Sequence, residues 1–486
     1  MLTIRRGALV LAILVAACGP SASGADDDGG DDDSADAAPQ PVCDPGATED
    51  CYGGPGGTAG VGECRSGTRT CNDNGFWGGC DGEVTPSQDV CGNGLDENCN
   101  GAADDEQDAD GDGFTNCDGD CCDNTAEGCA SPELVNPGAF EVAGNELDDD
   151  CDGTIDNPVA ACDSGLASNS TDPLDYARAM DLCQTATEAP GDWRWGVISA
   201  QFVLADGTGA PDTAQRAIRN AFGASTVRRG SSMTVLSSGH AAATGQTSPS
   251  FAAFQPGETM GNTSGFPADW LAANGGTLPN APSCPAPVGA TANDPVLLEL
   301  RVRTPTNARS FSMATDFFSA EYPEWTCSAY NDFFVVLLDS TWSGTPANPT
   351  DKNLAVYTAA GGEIYPVGVN LAHGDTGLFT VCENGNTGCA LGATAGTITT
   401  CVSTAELIGT GFDLSATGPF SGCGQNDLIG GGTGWLTTSG NVVGGEIITL
   451  RIALWDTSDH SLDSIALIDD FAWSVDASEP GTIIVD

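Results

Sequence analysis

The stretch 447-IITLRIALWDTSDHSLDSIALIDDFAWSV-475 decides the fold. Two runs rich in Ile, Leu, Val and aromatic residues, 447–456 and 465–475, have the length and composition of strands and flank a polar connection of Asp, Ser, Thr and His. The same kind of run recurs at 193-WRWGVISAQFVLA-205, 232-SMTVLSS-238, 296-VLLELRVRT-304, 309-RSFSMATDFFSA-320 and 333-FFVVLLDS-340. Connections rich in Gly and Pro separate these runs, and no fixed period of the kind a propeller or β-helix requires is present. Two short helices are expected. One is 172-DPLDYARAMDLCQTA-186, begun by Asp172 with Pro173 in the first turn; the other is 211-PDTAQRAIRNAFG-223, stopped by Gly223. Residues 163–477 therefore predict a β-sandwich of jelly-roll type, with 478–486 as a tail.

Upstream the composition changes. Of 21 cysteines, thirteen lie between Cys43 and Cys162, a density that belongs to a disulfide scaffold. Cys183 would complete that set, and Cys284, Cys327, Cys382, Cys389, Cys401 and Cys423 can form three more bridges. No C-x-x-C pair occurs, which argues against zinc and for an oxidising, extracytoplasmic compartment; the pairing itself is not legible. The chain carries 68 acidic against 15 basic side chains, a formal charge of −53, which excludes a basic nucleic-acid-binding face. The charge is uneven: between Asp26 and Asp156, 35 acidic residues stand against Arg65 and Arg69 alone. Acidity this concentrated calls for cations.

In 108-DADGDGF-114, Asp108, Asp110 and Asp112 take positions one, three and five of a cation loop. Gly113 makes the turn and the Phe114 carbonyl falls at seven. Alternate residues converge on one side of such a loop, and glycine permits the bend. The twelfth position is Gly119, so a closing carboxylate has to come from Asp118 or Asp120. Two segments, 95-LDENCNGAADDE-106 and 147-LDDDCDGTIDN-157, repeat one theme 52 residues apart. Asp96, Asn98, Asn100 and Asp104 in the first match Asp148, Asp150, Asp152 and Asp156 in the second. Calcium is the expected cofactor of these loops; the competing reading is Asp/Asn-rich turns held by disulfides without a metal. The predicted fold class is thus mainly β, a disulfide-rich irregular calcium-loop region over 43–162 followed by a β-sandwich with two short helices.

The chain begins MLTIRRGALVLAILVAAC, a short basic start, an apolar run too short for a stable membrane span, and small residues before Cys18. Val15-Ala16-Ala17-Cys18 resembles the lipobox of bacterial lipoproteins, which implies lipidation of Cys18 after removal of 1–18, and Gly19 behind it favours the outer membrane. Residues 19–42, with Asp26 to Asp28 and Asp31 to Asp33 among Gly, Ser and Ala, read as a self-repelling tether.

Residues 89–114, with 119-GDCCDN-124 and 136–157, resemble the metal-binding motif repeats of MopE-type bacterial surface proteins. That resemblance also implies copper. No histidine or methionine lies between residues 2 and 179, so the ligands copper prefers are missing. The pair 317-FFSAEYPEWTCSAYNDFFVVLL-338 and 450-LRIALWDTSDHSLDSIALIDDFAW-473 resembles the two signatures of the choice-of-anchor L domain, a module of bacterial surface proteins. Members are named for alternative C-terminal sorting signals, whereas this chain ends at Asp486 without an apolar tail, so the N-terminal lipid is its expected membrane anchor.

In the β domain Glu321, Glu324, Asp332, Asp459 and Asp463 are the binding candidates, for calcium or for sugar hydroxyls held through it. No G-x-S-x-G, H-E-x-x-H or phosphate loop is found. Adjacent Asp459, His460 and Ser461 do not make a triad, because neighbours in sequence rarely face one another. The reading is a lipid-anchored cell-surface protein whose β-sandwich binds an extracellular glycan or protein. The alternatives are a polysaccharide hydrolase using Glu321 and Glu324, and a purely structural envelope component.

Overall fold

The computed structural model describes residues 41–104, 108–189, 191–391, 394–416, 423–424 and 428–484; Cys18, with the leader and nearly all of the acidic tract, lies outside the described residues. The chain divides into two compact units, Met1–Ser87 with Asp96–Ala102, and Gln88–Leu95 with Ala103–Asp486. In the smaller, Thr48–Cys51 pairs antiparallel with Gly67–Thr70. Bridges Cys43–Cys71, Cys51–Cys80 and Cys64–Cys99 supply what so small an apolar content cannot.

The larger unit is built on ten strands: β1 Gly196–Val203, β2 Arg216–Arg219, β3 Met233–Ser237, β4 Ala292–Arg303, β5 Ser310–Ser319, β6 Phe333–Asp339, β7 Leu436–Asn441, β8 Ile447–Thr457, β9 Ser464–Ser474 and β10 Gly481–Ile484. They form two antiparallel sheets, one in the order β10-β7-β5-β9-β3-β2 and the other β6-β8-β4-β1. The short segments Gly431–Gly432 and Thr263–Ser264 pair with β5 and β4. From β3 to β9 each connection carries the chain from one sheet to the other. The pattern is that of a sandwich.

Leu298, Leu300 and Val302 of β4 and Ile448, Leu450 and Ile452 of β8 meet Phe311, Met313 and Ile468 of the opposite sheet in one core. Each such side chain contributes about 1.5–3 kcal/mol on burial. Both outer faces are covered as well. Helix α2, Ala268–Ala273, lays Trp270 on Phe333 and Trp455 of one sheet. Phe222 of the short strand Ala221–Phe222, with Phe254 and Phe412 from long loops, covers Val235, Phe318 and Leu467 of the other. This double burial is why 333-FFVVLL-338 runs apolar without alternation: all six residues are buried.

One of the two expected helices is present in shortened form. Helix α1, Pro173–Arg178, starts as its signals require, with the Asp172 carboxylate accepting from Leu174 N. It ends early because Asp181 takes a left-handed conformation, φ 69°, ahead of the Cys162–Cys183 bridge. The other expected helix, 211–223, is a correction. Asp212 and Gln215 form a capping box over a single 3₁₀ turn, and Arg216–Arg219 then leaves it as edge strand β2 beside β3. Tertiary contacts override the alanine-rich propensity: Ala217 and Ile218 enter different cores, and the buried Arg219 guanidinium donates to the carbonyls of Ala241, Thr247 and Pro249. The second helix is α2 instead. The C-terminal stretch adds β10 to the sheet, with Thr482 Oγ1 donating to Leu354 O.

All twenty cysteines from Cys43 onward are paired. Seven bridges join the fourteen from Cys43 to Cys183, and three join the remaining six. Such extensive pairing points to an extracytoplasmic protein. Among the described residues no helix is long and apolar enough to cross a membrane.

Candidate cation sites in the acidic loops

The three acidic loops share one backbone wiring. The first carboxylate accepts two N–H groups of its own turn: Gly111 N and Gly113 N on Asp108, Asn100 N and Gly101 N on Asp96, Asp152 N and Gly153 N on Asp148. The third position takes the N–H of the fifth, as in Asp112 N to Asp110 Oδ1 (3.1 Å), and the fifth takes that of the seventh, as in Phe114 N to Asp112 Oδ1 (2.8 Å). Asx turns of this kind bend the chain and use one oxygen of each later side chain. The repeat extends to the cysteines, since Cys99 and Cys151 both sit at positive φ, 62° and 56°.

Loop 108–114 brings carboxylates together most fully. Asp108, Asp110 and Asp112 place oxygens within 4.8 Å of one another, and so do Asp110, Asp120 and Asp123. Oδ2 of Asp110 and Oδ2 of Asp120 are buried and accept no hydrogen bond. Burial, reinforced by the neighbouring carboxylates, pushes the Asp110 and Asp112 carboxyls up to about 6 and raises Asp120. Of the two closing residues considered, Asp120 joins the group. Asp118 sits in the 3₁₀ turn Asn116–Asp118 and accepts from Thr115 Oγ1, outside that group. Asp123, which the loop numbering passes over, is the added member. Phe114 buries its ring against Trp193, 4.9 Å between centroids.

In loop 147–157 Asp148 and Asp150 converge with Glu141, not with Asp152 and Asp156. Asp152 accepts from Asn157 Nδ2 (2.8 Å) and Asp156 from Gly144 N (2.6 Å), so both hold the loop's shape. Glu141 lies upstream of the motif, accepts from Asp149 N and Asp150 N through Oε1, and keeps a buried Oε2 without a partner. A fixed loop numbering cannot find a ligand that arrives from outside the loop. In loop 95–106 Asn98 and Asn100 stand where the other repeat has Asp150 and Asp152, and Asp104 accepts from Asn93 N and Gly94 N. Among the described residues this loop gathers no third carboxylate. Acidic clusters that can hold a metal ion are therefore present at two of the three loops.

These clusters are joined to the sandwich within the larger unit. Asn136, fully buried, donates through Nδ2 to Asp112 Oδ2 (2.7 Å) and accepts on Oδ1 from Thr306 Oγ1 (2.5 Å) in the β4–β5 connection. Phe140 N and O bond to the Asn307 side chain, and Trp195 Nε1 donates to Ala139 O.

The β-domain candidates are mostly buried. Glu321, Glu324, Asp332 and Asp463 are 3%, 2%, 1% and 0% exposed, while Asp459 is at the surface. The Asp332 N–H donates to Glu321 Oε2 (3.3 Å), and the Asp332 carboxylate accepts from Thr457 N and Ser464 Oγ. His460 pairs through Nδ1 with Asp294, 166 residues away in sequence, rather than with Asp459 or Ser461. Comparison with protein-family profiles, with curated proteins and with solved structures finds no match to this chain.

Proposed function

We propose that the protein is a lipid-anchored component of the bacterial cell surface made of three parts: an acylated Cys18, calcium-loaded loops in a disulfide-tied region, and a β-sandwich that binds an extracellular glycan or protein. The observation that carries the calcium reading is the meeting of Asp110, Asp120 and Asp123 around two buried, unpartnered oxygens. An all-oxygen, all-carboxylate set suits a hard cation, and its irregular, loop-borne geometry suits calcium more than the strict octahedron of magnesium. The sequence likeness to MopE-type repeats and to the choice-of-anchor L domain agrees with a surface location, as does the disulfide content.

Calorimetric titration of the chelated mature chain with calcium chloride tests the reading. Heat of binding, and a melting temperature that rises with calcium and falls with chelator, are expected; absence of both refutes the calcium role. Mass spectrometry of Cys18 tests the anchor, and an unmodified thiol refutes it. A glycan array in calcium tests the ligand class. The hydrolase reading is disfavoured by burial, because Glu321 and Glu324 are too enclosed to reach a polymer. The structural-envelope reading predicts no ligand on any array.

A further inference from the structure

Beyond the acidic loops, one end of the sandwich collects buried carboxylates from both sheets. Asp332 precedes β6, Asp456 is the penultimate residue of β8, Asp463 precedes β9, and Asp294 is the third residue of β4. Register places these strand ends together: Phe333 pairs with Trp455, Asp456 with Asn293, Ser464 with Ser319 and Ile465 with Ser237. All four carboxylates are at most 1% exposed, and Glu321 behind β5 is 3% exposed.

Three are served by protein donors. Asp332 accepts from Thr457 N and Ser464 Oγ, Asp463 from Glu258 N, and Asp294 from Asn262 N and the His460 ring. Asp456 is the exception. Both of its oxygens are buried and neither makes a hydrogen bond of acceptable geometry, although the Ser238 hydroxyl is close enough to favour its ionised form. Burial first, and then the charges of Asp332, Asp463 and Asp294, push its carboxyl well above the usual carboxylate range. Among the described residues no lysine or arginine pairs with any of the five; His460 on Asp294 is the one basic partner. The Asp463 carboxylate packs directly against Gly239 and Gly257, where a Cβ would run into it. A register shift in β8, between Leu454 and Asp456, turns the strand end at this point.

We propose that this rim binds a divalent cation of calcium type, with Asp456 as its central ligand and Asp332 and Asp463 as flanking ligands, a site separate from the acidic loops. Buried charges of one sign require a counter-charge, and a hard cation matches a set made of oxygen. No three of these carboxylates place oxygens within 4.8 Å of one another, so cation binding requires the rim to draw inward. Asp459, exposed on the connection between β8 and β9 and acting electrostatically on Glu321 and Asp332, marks the way in.

The test compares calcium stoichiometry of the full mature chain in three forms: wild type, Asp456→Asn, and Asp110→Asn with Asp120→Asn. Asp456→Asn is expected to bind one calcium fewer than wild type while the loop variant keeps the rim site, so failure here and failure of the loop reading are told apart. Hydrogen exchange on the chelated wild-type chain needs no variant to fold: added calcium chloride should slow exchange in 456–464 at least tenfold. Unchanged stoichiometry in Asp456→Asn, or unchanged exchange in 456–464, overturns the proposal and assigns the neutralising role to protons.

Discussion

Asn136 is where the acidic loops and the sandwich depend on one side chain. Replacing it by alanine removes a charge-assisted bond to Asp112, the bond from Thr306 Oγ1 and the bond from Gly138 N. A neutral hydrogen bond contributes about 0.5–1.5 kcal/mol and one to a charged group about 1.5–3, so the larger unit should lose about 3–5 kcal/mol. That loss is expected in chelator, because the bonds do not depend on a metal. A second effect appears with calcium. Asn136 orients Asp112, and losing the partner that orients a metal ligand typically lowers affinity 10–100-fold. Urea unfolding followed by tryptophan fluorescence measures the first effect, with Trp193 beside Phe114 as a local reporter. Calcium titration measures the second. A stability loss under about 1 kcal/mol would refute the claim that this side chain joins the two parts. An unchanged calcium affinity would refute the role assigned to Asp112.

Three further outcomes follow from single features. Burial pushes the Asp469 carboxyl up to about 7, so the folded chain holds its proton to a higher pH than the unfolded chain; stability should fall as pH rises from about 4 to about 7, by up to about 4 kcal/mol, and Asp469→Asn should flatten that slope in pH-dependent urea titrations. Gly239→Ala places a methyl group against the Asp463 carboxylate and should cost about 1–3 kcal/mol in the same assay, with no loss if the rim relaxes freely. Cys121→Ser with Cys151→Ser opens a bridge of sequence separation 30 and should cost about 3–4 kcal/mol, together with weaker calcium binding at Asp148 and Asp150.

The strands were legible because their composition and length are those of strands whichever sheet they join. All seven of the expected runs form strands, and 333–340 differs at its end by a single residue. The helix expected over 211–223 fails for the opposite reason. Alanine-rich spacing is a local preference of a few tenths of a kcal/mol per residue, and pairing with β3 plus the three carbonyls on Arg219 outweighs it. At the acidic loops, positions one, three and five are legible because their Asx turns are local. Asp123 and Glu141 are not, since each reaches its cluster from outside the numbered loop.

The sequence by itself determined the β architecture, the disulfide-bonded character of the region from Cys43 onward and the position of the acidic loops, because each follows from residue type and short-range spacing. Tertiary structure alone decided which cysteines pair, which carboxylates meet and that Asp456 is buried without a basic partner. The bridges and the loop clusters depend on how irregular segments fold back over a few tens of residues, and the rim depends on strand register, which brings together residues more than a hundred positions apart, as Asp294 and His460 show. A period of two says which face a side chain takes, but not which strand end it will meet.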